Sequence, residues 1–258
     1  SLRARYGLDQ PFYTRFALYA GKLLTLDLGY SFRYGKPVIE LLATHLWPTL
    51  LLMTTAILLA FGAGVFLGVA ASRTVNRWPD MLISVTALIA YATPVFWLGL
   101  MMIVFFSVRL GLLPSGGMET IGAGHTGLRR VADIAAHLVM PATVLALYLT
   151  AFMVRLMRAS MLEAGQLDFV TTARAKGLSE SAVAYRHVLR NAILPMVTML
   201  GLQIGAMLGG SVLVETVFAW PGLGRLAYTA VFQRDINLLL GLLFLCSLMV
   251  IATNILTE

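Results

Sequence analysis

Charge is scarce in this sequence: only 12% of its 258 residues are Asp, Glu, Lys or Arg, against 59% hydrophobic. Soluble domains run at about a quarter charged, so water is excluded as the solvent for most of the chain, and a mean hydropathy of +0.84 agrees. Cysteine is scarcer still. Cys246 stands alone, which excludes an internal disulfide and leaves a small packing or lipid-facing side chain. Catalytic chemistry is missing too. Gly21-Lys22 and Gly35-Lys36 lack the upstream glycine and the following Ser/Thr of a phosphate loop, so the chain is not expected to hydrolyse ATP itself. His45, His125, His137 and His187 are scattered, and no HExxH, GxSxG or acidic pair accompanies them. A membrane-embedded hydrolase is disfavoured accordingly.

What is present is apolar length. Charge-free runs cover 46–72, 81–108, 134–154, 191–214 and 236–257. Each reaches the roughly 20 residues that a helix needs to cross a bilayer core. A β-barrel strand would alternate polar and apolar over about ten residues, and none of these runs does. The fold class is an all-α polytopic membrane protein with five spans in this chain. His137, the one histidine inside a run, lies near its start and reads as interfacial rather than as a proton relay. Ion-driven transport usually needs carboxylates at membrane depth. No run contains one, so energy for moving a solute is expected to enter from a loop.

Several details refine this picture. Gly64 and Gly68, and again Gly201, Gly205 and Gly209, are spaced as GxxxG, which lets a second helix approach closely; tight packing and a gating role are both open. Thr93-Pro94 falls inside a run, where proline removes a hydrogen bond and predicts a kink. The net charge of +7 is dispersed through loops, which favours lipid headgroups or protein partners over nucleic acid. Loops 73–80 and 155–190 carry eight Lys/Arg, and loops 109–133 and 215–235 carry five, which leans towards the first pair being cytoplasmic. Six further basic residues, from Arg3 to Lys36, oppose that count. The opening SLRARYGLDQPF has no secretory signal and no initiating Met, so the chain is expected to begin inside a longer protein.

The main polar interruption is DFVTTARAKGLSESAVAYRHVLRNAILP, residues 168–195. Asp168 is a candidate N-cap for a short helix whose Phe169, Val170 and Ala173 share a face. Arg174 and Lys176 suit its C-terminus, and Gly177 its left-handed end. Ser179 can cap a second helix, with Glu180 in its first turn, and Pro195 opens the next span. The segment reads either as an amphipathic connector on the membrane surface or as a docking element for a soluble partner.

This stretch resembles the EAA loop of ABC-importer permeases, specifically the dipeptide, oligopeptide and nickel group. The general motif is Glu-Ala-Ala, three residues, Gly, and later Ile-x-Leu-Pro. Aligned on Gly177, the triplet is Thr171-Thr172-Ala173, and the closing Ile193-Leu194-Pro195 lacks the spacer, departures typical of that group. GLDQPF (7–12), DLGYSFRYGKPV (27–38), RLGLLPSGG (109–117) and VETVFAWPGLGRL (214–226) extend the resemblance over nearly the whole chain.

The resemblance implies a type I importer transmembrane domain, with six spans in the full protein and a missing first helix and tail. Residues 1–43 would then be extracytoplasmic, and 44–258 a permease domain with a cytoplasmic coupling loop at 155–190. It implies a non-catalytic subunit of a bacterial inner-membrane importer, moving peptides or a related small solute. Partners would be a sister permease in a heterodimer, two ATPases that bind ATP and Mg, and an extracytoplasmic solute-binding protein. This chain itself would hold no cofactor or metal. Coupling would fall to Asp168, Phe169, Val170, Thr171, Thr172, Ala173, Arg174, Ala175, Lys176, Gly177 and Leu178, with Leu194 and Pro195. Thr198, Gln203 and Met207 are candidates for the solute pathway. Phe218, Trp220, Pro221 and Gly222 would form an external loop that meets substrate or binding protein, or simply turns at the membrane surface with Trp220 as anchor. The rival is a self-sufficient secondary transporter or channel.

Overall fold

The computed structural model describes Tyr13, Gly21 and residues 25–257; GLDQPF lies outside them. Helices dominate, and the described residues contain no strand beyond an isolated bridge between Tyr30 and Pro37. Helix α1 is Val38–Arg73 and α2 is Trp78–Ala92. Helix α3, Val95–Met102, widens into a π-helical stretch, Ile103–Arg109. Then come α4, Gly127–Ala164, and the short α5, Asp168–Ala175. A connecting segment, 180–192, leads to α6, Leu194–Val217. Helices α7, Leu223–Phe232, and α8, Ile236–Thr257, complete the order.

All five charge-free runs are helical, but the helices overrun them. Helix α1 starts at Val38 rather than 46, carrying an exposed Glu40 that pairs with Lys36 at 2.6 Å. Helix α4 has 38 residues and continues to Ala164, so residues 155–164 are helix and not loop. Its additional charges have partners. Arg155 lies over the Tyr91 ring, and Arg158 forms a two-pronged bridge at 2.8 Å to Asp80, a buried carboxylate in the first turn of α2. The proline kink is a full break: α2 and α3 meet at 101° around Thr93-Pro94.

Helices α1 and α4 form the spine. A Cβ on Gly64 would lie 2.4 Å from Met153 Cβ, and one on Gly68 would lie 2.5 Å from Met157 Cβ. The backbones therefore meet as the small-residue spacing predicts. Gly205 and Gly209 lie outside the residues whose surroundings are described. Around the spine, Leu52, Leu149, Met153 and Met157 pack with Met196, Val214 and Phe218 of the α6 region. A second cluster at the Val38 end joins Leu28, Val38 and Leu42 to Leu223, Leu226 and Leu238. Elsewhere large apolar side chains such as Leu58, Phe66 and Leu243 face outward. That surface suits hydrocarbon or another membrane subunit. His137 is buried ten residues into α4, its Nδ1 within 2.8 Å of the Asp133 carbonyl oxygen, rather than sitting at the helix start.

Candidate coupling surface and loop lock

The short helix α5 follows α4 after residues 165–167, at the Arg73 end of the bundle. Its apolar residues explain its placement. Val170 and Ala173 are buried in the main core, and Phe169 packs against it half-buried. The other face, Thr171, Thr172, Arg174, Ala175 and Lys176, is exposed, as is Leu178 beyond the turn. Asp168 is the first helical residue and not the N-cap; Leu167 takes that place with extended backbone and no side-chain bond. An acid in the first turn still complements the helix dipole.

The helix ends as its sequence requires. Gly177 sits at φ +79°, with its N–H donating to the Arg174 carbonyl at 2.9 Å. The Leu178 N–H reaches back to the Ala173 carbonyl at 3.4 Å. These two bonds make a Schellman ending, in which the glycine supplies the left-handed residue. Ser179 then caps the next segment, accepting from the Ala182 N–H at 3.3 Å. Across the turn Arg174 grips Glu180 with Nε at 2.9 Å and Nη2 at 3.1 Å. The guanidinium hydrogen bond holds the Glu180 carboxyl below its ordinary value, and the carboxylate raises Arg174 in return. Leu194 and Pro195 are also exposed, at the start of α6.

At the opposite, Val38 end stands a constellation that sequence reasoning missed. Glu215 is wholly buried within the last turn of α6. Its carboxylate accepts from Thr49 Oγ1 at 2.8 Å and from the Arg225 N–H at 3.0 Å. Thr49 Oγ1 in turn accepts from the Leu223 N–H at 2.7 Å. Two of the opening N–H groups of α7, those of Leu223 and Arg225, which no helical carbonyl can satisfy, are thus answered by side chains from α1 and α6. Two glycines make room. A Cβ on Gly222 would lie 2.5 Å from the Glu215 carboxyl, and one on Gly224 would lie 2.7 Å from the Val212 backbone. The charge at 215 reads as the end of an apolar run; the signal available was its spacing before the Gly-x-Gly at 222–224.

Trp220 is fully buried, its indole N–H donating to the Pro48 carbonyl at 2.9 Å, and Phe218 is buried beside it. Trp220 is therefore no surface anchor, and any face this loop offers is made by its other residues, half-buried Pro221 among them. The Phe218 carbonyl accepts from the Gly117 N–H at 2.8 Å, so RLGLLPSGG packs directly on FAWPGLG. The 27–38 segment is tied in as well: Ser31 Oγ and the Arg33 N–H both bond the buried Asp235 carboxylate. Three motifs remote in sequence form one end cap.

The three pathway candidates are not brought together. Thr198 is exposed, Gln203 is half-buried and Met207 packs in the core. Among the described residues no group of three His, Cys, Asp or Glu is placed to hold a metal.

Residues 60–258 match the family model described as binding-protein-dependent transport system inner membrane component. The chain is 38% identical over 255 residues to the oligopeptide transport system permease AppB of Bacillus subtilis, covering 98% of this chain and 79% of that protein. It is 39% identical over 257 residues to the glutathione transport system permease GsiC of Escherichia coli strain K12, covering 100% and 79%. Among solved structures, the MetNI methionine ABC transporter in an inward-facing conformation superposes with a TM-score of 0.67 at 21% identity, over 85% of this chain and 94% of that one. An amino acid ABC transporter crystallised with histidines gives 0.62 at 17%, over 85% and 92%. These two likenesses bear on the fold.

Proposed function

The chain belongs to the family of binding-protein-dependent transport system inner membrane components, and from that premise we propose that it moves peptides, or a related small solute, as one permease of a heterodimer. It is a permease subunit of an ABC importer. In this reading α5 is its coupling helix, seated in a cleft of one of two ATPases that bind ATP and Mg. The end cap around Glu215 faces an extracytoplasmic solute-binding protein. The Arg73 end is then cytoplasmic, the membrane is the bacterial inner membrane, and the chain catalyses nothing itself.

The observation that carries this reading is the form of α5. Two buried residues fix it to the core, while five of its eight residues plus Leu178 are turned out. So small a polar face offers little to lipid but fits a protein groove. Peptide is favoured by the names of the relatives, one for oligopeptide and one for glutathione. Thr198 and Gln203 are the proposed pathway residues on α6, and Met207 would reach the pathway only by repacking. Cysteine labelling of Thr198 and Gln203 in each nucleotide state tests them; inaccessibility throughout removes them.

Native purification of the tagged permease tests the whole. Recovery of one sister permease and two ATPases in stoichiometric amounts is the expected result. Solute transport by the purified chain alone would instead establish the self-sufficient transporter.

A further inference from the structure

One stripe of α1 is left unused by the spine. Gly62, Phe66 and Arg73 recur at helical spacing, on the face away from Gly64 and Gly68, with Val69 buried in the core between them. Opposite them stand Tyr185, Leu189 and Ile193, four residues apart on the segment that follows α5. Between the two stripes runs an open groove of about 650 Å³ whose walls are mostly apolar. Gly62 widens it, since a Cβ there would meet nothing within 4 Å. Phe66 stands on the rim, 74% exposed.

The groove has one cationic end. Arg73 donates from Nη1 to Tyr185 Oη at 3.2 Å and from Nη2 to Ser181 Oγ at 3.3 Å, with its guanidinium 5.3 Å from the Tyr185 ring centre. Both partners are neutral hydroxyls, and among the described residues no carboxylate balances the charge. Arg186 and Arg190 are exposed on the same segment. Dimensions then narrow the occupant. From Phe61 to Arg73 the groove runs about 18 Å at about 1.5 Å per residue, against about 15 Å for half of a bilayer core of about 30 Å. It is apolar over the depth of one leaflet and positive at headgroup level.

We propose that this groove holds an anionic phospholipid of the cytoplasmic leaflet. The phosphate lies on Arg73 and the Tyr185 hydroxyl, which has its proton free to donate, and one acyl chain lies along Gly62, Phe66 and Ile193. Basic pockets between membrane helices on the cytoplasmic side recognise anionic headgroups by this chemistry. Only the choice of leaflet rests on the coupling-helix reading. The headgroup sits against Ser181 and Tyr185, immediately after the turn that ends α5.

The test uses the intact transporter reconstituted in nanodiscs of phosphatidylcholine with and without phosphatidylglycerol, with retained lipid counted by native mass spectrometry. Wild type retains phosphatidylglycerol preferentially. Arg73→Gln lowers that preference about tenfold, the scale of one charge-assisted contact, while Gly62→Leu lowers retention of both lipids by filling the groove. An unchanged preference in Arg73→Gln overturns the proposal. So does efficient cross-linking of Phe66→Cys to the sister permease, which would make the groove a subunit interface. Lipid occupancy is read independently of transport, so failure of the importer reading leaves this result intact.

Discussion

At the Val38 end Glu215, Thr49 and Trp220 are wholly buried, and the Leu223 and Arg225 N–H groups of α7 find side-chain acceptors. At the Arg73 end α5 buries only Val170 and Ala173 and turns most of its polar surface outward. The loop at 218–226 is held by long-range bonds that cannot be broken without leaving a polar group in an apolar interior, an expensive state. Helix α5 is held by apolar contact with the core, chiefly through the 183–188 segment, and by a local turn. One end is framework and the other is a surface awaiting a partner.

The largest effect expected from breaking this contrast is Glu215→Ala. It strands Thr49 and the Arg225 N–H at the start of α7, and is expected to cost about 3 kcal/mol or more. Thermal unfolding of the purified complex checks it, and an unchanged melting temperature would mean the end cap is not a lock. Next comes Arg158→Ala, which leaves Asp80 buried without its two-pronged partner. About 2 kcal/mol is expected by the same measurement, discounted because the arginine is partly exposed. It would show that the Arg73 end also has one buried fixture, which lies outside α5.

Gly177→Val sharpens the other side. No atom lies within 4 Å of a Cβ there, so its cost is backbone strain alone, about 1–2 kcal/mol at φ +79°. Membrane insertion should survive, while substrate-stimulated ATPase activity of the reconstituted complex falls several-fold. Full stimulation would remove the coupling assignment. The smallest effect belongs to Glu180→Gln, because exposed ion pairs contribute little. Its sign is fixed nonetheless. The folded carboxyl is held below its ordinary value, so the pair's contribution is complete above the usual carboxylate range and lost as pH falls through the depressed value. Wild type and variant should therefore differ slightly at neutral pH and converge in acid.

Much of this architecture could be read in advance because membrane helices announce themselves by the absence of charge. Gly177, Ser179, the Gly64/Gly68 approach and the break at Pro94 were legible for local reasons, each resting on one residue's backbone or cap preference. Helix ends were not. Charge marks a boundary in the sequence, but Glu40, Arg155 and Arg158 continue helices because each has a partner. Glu215 was hidden by the same habit. The Asp235 contacts with Ser31 and Arg33 join residues more than 200 positions apart, which no spacing rule reaches. The α5 stretch was visible as a motif; which of its residues are exposed follows from the packing of Val170 and Ala173 into the core.

The close approach of α1 and α4 has a mechanical side. Two helices of 36 and 38 residues, each about 55 Å long, touch backbone to side-chain root at Gly64 and Gly68. Close-packed interiors yield little and transmit strain. A push on α5 therefore meets a doubled beam rather than a single flexible rod, three residues beyond the beam's tip. Bending such a pair demands that both rods shear past Met153 and Met157, so the stiff response is tilt. A small displacement at one end of such a pair would be delivered to the other with little lost along the way.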